Sequence, residues 1–146
     1  MTTLKPILTA IAEGETLTQA QAESAMHVML SGEADPAQIA GLLMGLRSRG
    51  ETLDELVGFT KVMREYAIPV ETDLDPIDLC GTGGDHSGTF NISTAASFVA
   101  AGAGVPVAKH GNKGVSSSSG SADVLSALGV RADLDAEGVS RCLEEA

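Results

Sequence analysis

The first seventy residues carry apolar positions at helical spacing, in runs closed by glycine or proline. Leu4, Ile7, Leu8 and Ile11 form the first run, and Gly14 stops it. Thr18 and Gln21 have capping-box spacing for a second helix carrying Ala25, Met26 and Met29, ended by Gly32. Asp35 and Pro36 make an N-cap and first-turn pair for a third, with Ile39, Leu42, Leu43 and Leu46 on its buried face and Gly50 after it. Thr52 and Glu55 repeat the capping box for a fourth, which runs through Leu53, Leu56, Val57 and Met63 and closes before Pro69.

Beyond Pro69 the pattern changes. Ile77 to Cys80 reads as a short buried run entering Gly81-Thr82-Gly83-Gly84-Asp85, that is, a strand delivering a loop. A helix from about Ser93 to Ala101 follows, then a second strand, Val105 to Ala108, entering Lys109-His110-Gly111-Asn112. A Ser/Gly loop from Gly114 to Ser119, a helix from about Ser121 to Leu128 and a last helix from near Asp135 complete the chain. Strands alternating with helices imply a parallel sheet with right-handed crossovers, and such sheets bind ligands at the carboxyl ends of their strands. The expected fold is therefore α/β: a small N-terminal helical domain over residues 1–70, then an α/β domain over 71–146 with a mainly parallel sheet. Two strands do not make a stable buried parallel sheet, and the last helical pattern runs to Ala146 without Gly or Pro to close it. The sheet is thus expected to be incomplete in this chain, as in a truncated or cleaved protein or one whose missing strands another polypeptide supplies.

Composition supports a folded chain packed on small side chains: 43% of residues are hydrophobic and only 3% aromatic. The net charge of -11 argues against nucleic acid and anionic membrane as partners, since both draw on basic surfaces. That charge is unevenly spread. From His86 through Ala122 there is no Asp or Glu among the 20 in the chain, while Lys109, Lys113, His86 and His110 fall inside the stretch. A carboxylate-free window in an acidic protein is where a bound anion belongs. Cys80 and Cys142 are too few for a disulfide framework, and no stretch approaches a membrane span, so a cytoplasmic location is expected.

The chemistry-bearing segments lie in or beside this window. Gly81 to Asp85 offers backbone free to take positive φ, amides that can turn to phosphate oxygens, and one carboxylate for sugar hydroxyls. It is neither a dinucleotide fingerprint nor a P-loop, and alone it fits an ordinary turn equally well. Asn91-Ile92-Ser93-Thr94 precedes the Ala-rich helix, with Ser93 or Thr94 as its N-cap; a hydroxyl there can hold phosphate or share Mg²⁺ with it, although plain capping is the simpler role. Lys109 at a strand end suits phosphate, Asn112 can both donate and accept, and His110 is as readily structural as functional. Val115 to Asp123 brings a row of hydroxyls before a helix.

Gly-Thr-Gly-Gly-Asp, Asn-Ile-Ser-Thr, Lys-His-Gly-Asn and the Ser-rich run ending Ser-Gly-Ser-Ala-Asp, in this order behind a helical domain, closely resemble the anthranilate phosphoribosyltransferases of tryptophan biosynthesis. The likeness spans the whole chain. It implies a fold related to pyrimidine-type nucleoside phosphorylases, and a homodimer through the helical part. It also implies contacts to phosphoribosyl diphosphate from Gly81, Gly84, Asp85, Thr89, Asn91, Ile92, Ser93, Thr94, Lys109, His110, Gly111, Asn112, Lys113, Gly114, Val115, Ser116, Ser117 and Ser121. Ser93 would be a Mg²⁺ ligand, and Gly81, Asn112 and His110 would face anthranilate.

The chain departs from the family at His86, where Gly is usual, and at Lys113 and Ser118, which replace longer basic residues. The family's acidic Mg²⁺ pair and its anthranilate Arg fall beyond Ala146, so little activity is expected of these residues alone. Two other functions share parts of the pattern. A pyrimidine-type nucleoside phosphorylase would share the Lys-His-Gly segment, and a non-catalytic relative binding nucleic acid would need a basic groove.

Overall fold

The computed structural model describes residues 3–81, 89–114, 119–131 and 133–145. They fall into two compact units, Met1–Ala67 and Ile68–Ala146.

The first unit contains α1 (Lys5–Ala12), α2 (Gln19–Leu30), α3 (Pro36–Arg49) and α4 (Leu53–Tyr66). Local sequence sets their ends. Thr18 and Gln21 close a capping box, with the Gln21 amide donating to Thr18 Oγ1 (3.3 Å) and the Thr18 amide to Gln21 Oε1 (2.9 Å). Asp35 Oδ1 accepts from the Ala37 amide at 2.8 Å. Gly14, Gly32 and Gly50 follow α1, α2 and α3 with φ of 79°, 76° and 87°, a region that favours glycine.

Tertiary packing pairs α2 with α4 and α1 with α3. Both pairings depend on a helical glycine. A Cβ at Gly58 would stand 2.6 Å from the Gln19 carbonyl oxygen and 2.8 Å from Ala22 Cβ, and one at Gly45 would run into Ile11 Cγ2. The core is Leu4, Ile7, Ile11, Leu17, Ala22, Ala25, Val28, Leu42, Leu46 and Phe59, with Ile39, Met26 and Met29 packed against it in part. On α3, Leu43 is exposed rather than buried. The periodic set of α4 likewise faces outward: Leu53, Leu56, Val57 and Met63 are 75%, 50%, 43% and 56% exposed, and the buried residues are Glu55, Gly58, Phe59 and Val62. The close approach at Gly58 explains this, because it turns the opposite side of α4 toward α2.

Glu55 is fully buried. Its Oε1 accepts from the Leu17 amide (2.7 Å) and from Arg49 Nη2 (2.6 Å), and its Oε2 from the Thr52 amide (2.8 Å). Burial pushes its carboxyl up, but the hydrogen bonds from Leu17, Thr52 and Arg49 outweigh burial and hold it below its ordinary value. One carboxylate thus caps α4 and ties the residues before α2 to the end of α3.

The second unit contains α5 (Ile92–Gly102), α6 (Ser121–Ala127) and α7 (Ala136–Glu145). The N-cap of α5 is Asn91, not Ser93 or Thr94, and its side chain makes no capping bond. In place of the expected mainly parallel sheet, the described residues form one parallel bridge, Ile77 with Val107. The Ile77 amide donates to the Pro106 carbonyl and the Ala108 amide to the Ile77 carbonyl, each at 3.0 Å. Pro106 has no N–H for a ladder, which limits pairing along this short segment. The buried residues described in this unit are Thr94, Ser97 and Gly138, while Phe90 and Val99 are 73% and 74% exposed. Among the described residues no helix is long and apolar enough to cross a membrane.

Candidate functional site

The bridge between Ile77 and Val107 sends two segments off in the same direction, Asp78 to Gly81 and Ala108 to Gly111. Asp78 Oδ1 joins them by accepting from the His110 amide at 3.2 Å. Burial raises the Asp78 carboxyl, but hydrogen bonds from Cys80 and His110 and the charge of Lys109 hold it below its ordinary value. Lys109 is half-buried, and its Nζ donates to the His110 carbonyl at 3.3 Å. Gly81 and the residues from His110 to Gly114 are exposed.

The Lys109–Gly114 segment then folds against the start of α6. The Asn112 amide donates to Ser121 Oγ (3.2 Å), and the Ala122 amide donates to the Asn112 carbonyl (3.1 Å). Asn112 Oδ1 accepts from the Lys113 amide at 2.8 Å. Asp123 Oδ2 accepts from both Gly114 (2.8 Å) and Gly120 (2.7 Å) amides. These two backbone hydrogen bonds hold the Asp123 carboxyl below its ordinary value against a smaller opposing effect of burial, with Lys113 helping. Only glycine fits at 120, where a Cβ would run into the Asn112 carbonyl oxygen and stand 2.5 Å from the Gly114 nitrogen.

The start of α5 joins the same cluster. Asn91 Nδ2 donates to Ser119 Oγ (3.1 Å) and to the Gly120 carbonyl (3.4 Å). Ser93 is half-buried and its carbonyl accepts from Ser97 Oγ at 2.8 Å, while Thr94 is 3% exposed and its buried Oγ1 has no hydrogen-bond partner among the described residues. Ile92 and Thr89 are exposed.

The structure thus gathers Asn91 to Thr94, Lys109 to Gly114 and Ser121, and links Gly81 to them through the bridge and Asp78. Gly84, Asp85, His86, Val115, Ser116, Ser117 and Ser118 lie outside the described residues. Sequence reasoning did not single out Asp78, and it placed Ser119, Gly120 and Asp123 in the Ser-rich run without giving any of them a partner, although these four make the connections. For Asp123 a signal existed: an acid three residues after Gly120 has the spacing of a helix-start box. Among the described residues no group of three His, Cys, Asp or Glu is placed to hold a metal. Mg²⁺ shared with phosphate and water needs few protein ligands, and the Thr94 hydroxyl beside Ser93, which has no partner among the described residues, is the kind of oxygen such a site uses.

Comparison with known proteins gives the same division of the chain. Residues 5–67 match the helical bundle domain of a glycosyl transferase family, and residues 73–146 match the a/b domain of a glycosyl transferase family. A protein of Salinibacter ruber named anthranilate phosphoribosyltransferase is 66% identical over 98% of this chain and 42% of its own length. One of the same name from Xanthobacter autotrophicus is 56% identical over 100% of this chain and 42% of its own length. The crystal structure of anthranilate phosphoribosyltransferase from Thermus thermophilus matches with a TM-score of 0.76 and 40% identity, covering 93% of this chain and 43% of that one. The chain therefore spans less than half the length of these relatives.

Proposed function

The chain belongs to the glycosyl transferase family that joins a helical bundle domain to an a/b domain, and from that premise we propose that the protein is an anthranilate phosphoribosyltransferase. It would transfer the phosphoribosyl group of 5-phosphoribosyl 1-diphosphate to the amine of anthranilate, releasing diphosphate. The observation that carries this reading is the hydrogen-bonded cluster that joins Asn91, at the start of α5, to the Lys109–Gly114 segment and Ser121, all within the carboxylate-free window of the sequence.

The chemistry asks little of acids and bases. The aromatic amine is already a nucleophile, so the protein's work is to hold the two substrates together and to stabilise charge on the leaving diphosphate. The Lys109 and Lys113 ammonium groups would serve the diphosphate, on a segment whose shape is fixed by its own amide hydrogen bonds. Ser93 would hold Mg²⁺, which when bound neutralises diphosphate charge. Asn112, His110 and Gly81 would face anthranilate. Two further readings go with the proposal. The exposed apolar side of α4, Leu53, Leu56, Val57 and Met63, supports a homodimer through the helical unit, and residues 71–146 would begin a mainly parallel sheet nucleated at Ile77 and Val107. The two cysteines are free and exposed, which fits a cytoplasmic location.

The test is loss of anthranilate fluorescence when phosphoribosyl diphosphate and Mg²⁺ are added to the full-length protein. Continuous loss is the expected result. Unchanged fluorescence, together with phosphate-dependent cleavage of pyrimidine nucleosides, would replace this reading with a phosphorylase.

A further inference from the structure

Two carboxylates flank the carboxylate-free window at its structural edges, and both point their oxygens at backbone amides of the segment between Lys109 and Gly114. Asp78 Oδ1 accepts from His110 near the start of that segment. Asp123 Oδ2 accepts from Gly114 at its end and from Gly120 beside it. Between them Ser121 Oγ and the Ala122 amide fix Asn112. Among the described residues the segment has little else to hold it, because its residues from His110 to Gly114 are exposed. Gly120 removes the side chain that would keep the two chains of this crossing apart.

We propose that Asp78 and Asp123 are positioning residues that hold the Lys109–Gly114 segment in the shape that receives a diphosphate group. The inference rests on the phosphoribosyl-diphosphate reading and deepens it. Carboxylates beside a polyanion site are unfavourable as bare charges. Here each is turned to amide donors and lies near one lysine, Asp78 near Lys109 and Asp123 near Lys113, so its charge is met within the protein. The geometry and the bare charge therefore predict opposite signs. If the carboxylates only repel, neutralising one tightens anion binding. If they position the segment, neutralising one loosens it.

The experiment compares full-length wild type, Asp123→Ala, Asp123→Asn, Asp78→Ala and Asp135→Ala. Asp135 Oδ1 accepts from the Gly138 amide at 2.8 Å at the start of α7, so Asp135→Ala removes a similar helix-start acceptor without touching the segment. Affinity for inorganic diphosphate is measured by calorimetry, and KM and kcat by anthranilate fluorescence. Asp123→Ala is expected to weaken diphosphate binding and raise the KM for phosphoribosyl diphosphate about tenfold, with a smaller change in kcat. Asp78→Ala should act in the same direction but less, because Asp78 reaches the segment through one longer bond. Asp123→Asn, which keeps an acceptor oxygen, should recover most of the loss, and Asp135→Ala should leave diphosphate affinity unchanged while lowering the melting temperature comparably. Tighter diphosphate binding in Asp123→Ala, or a loss no larger than in Asp135→Ala, would overturn the inference. Wild type that binds diphosphate but consumes no anthranilate would refute the transferase reading and leave the positioning result standing. Failure of wild type to bind diphosphate would overturn both.

Discussion

In residues 1–67, Leu4, Leu17, Leu42 and Val62 are buried side chains, and Ala22 is completely enclosed; in residues 68–146 the described buried residues are Thr94, Ser97 and Gly138. The two units are held by different forces. The helical unit removes apolar surface from water and fixes its helices with capping boxes. The second unit, among its described residues, is organised by polar side chains reaching backbone amides: Asp78 to His110, Ser121 to Asn112, Asp123 to Gly114 and Gly120. A scaffold of the first kind resists deformation. One of the second kind rests on a few hydrogen bonds at exposed residues, so losing one acceptor can change its shape.

This contrast predicts where substitutions act. The largest effect on stability should come from Glu55→Ala, which strands the amides of Leu17 and Thr52 and leaves Arg49 without its partner; we expect a loss of about 3–5 kcal/mol in urea unfolding followed by helical circular dichroism. The pH dependence has a definite sign. A carboxyl held below its unfolded value contributes stability that is complete above that value, 4.5 for a glutamate, and is lost as pH falls through the folded value. The wild-type urea midpoint should therefore fall between about pH 6 and about pH 3 more steeply than that of Glu55→Gln. Equal slopes would remove Glu55 from its place as the polar keystone of the first unit.

A methyl group added to a glycine in each unit sharpens the comparison. Gly58→Ala presses on Gln19 and Ala22 in a packed interface and should cost about 1–3 kcal/mol of stability, seen as a lower melting temperature. Gly120→Ala presses on Asn112 and Gly114 at the exposed crossing, and should weaken inorganic diphosphate binding about tenfold, or about 1.4 kcal/mol, with a smaller change in melting temperature. If Gly120→Ala melts the protein as strongly as Gly58→Ala, the distinction between a core-held and an amide-held unit is wrong.

Much of the helical unit was legible beforehand because its signals are local. Thr18 with Gln21, Asp35 with Pro36, and Thr52 with Glu55 act within one helical turn, and the structure places all three as helix starts. Which side of α4 turns inward was not legible, because Leu53, Leu56, Val57 and Met63 make as good an apolar stripe as the buried set. The segments of the candidate site were equally visible as motifs. Their connections were not: the Asn91 to Ser119 and Asp78 to His110 hydrogen bonds span 28 and 32 residues, and no short-range spacing encodes them.

Sequence by itself determined the capped starts of α2, α3 and α4, the carboxylate-free window and the four motifs that resemble the transferase family, since each depends on neighbours along the chain. Tertiary structure alone decided that Gly58 and Gly45 let helices meet, that Glu55 lies beneath the surface, and that Asp78 and Asp123 hold the Lys109–Gly114 segment. The physical reason is the same in each case. These roles depend on which distant atoms come within a few ångströms, and that is settled only when the chain has packed.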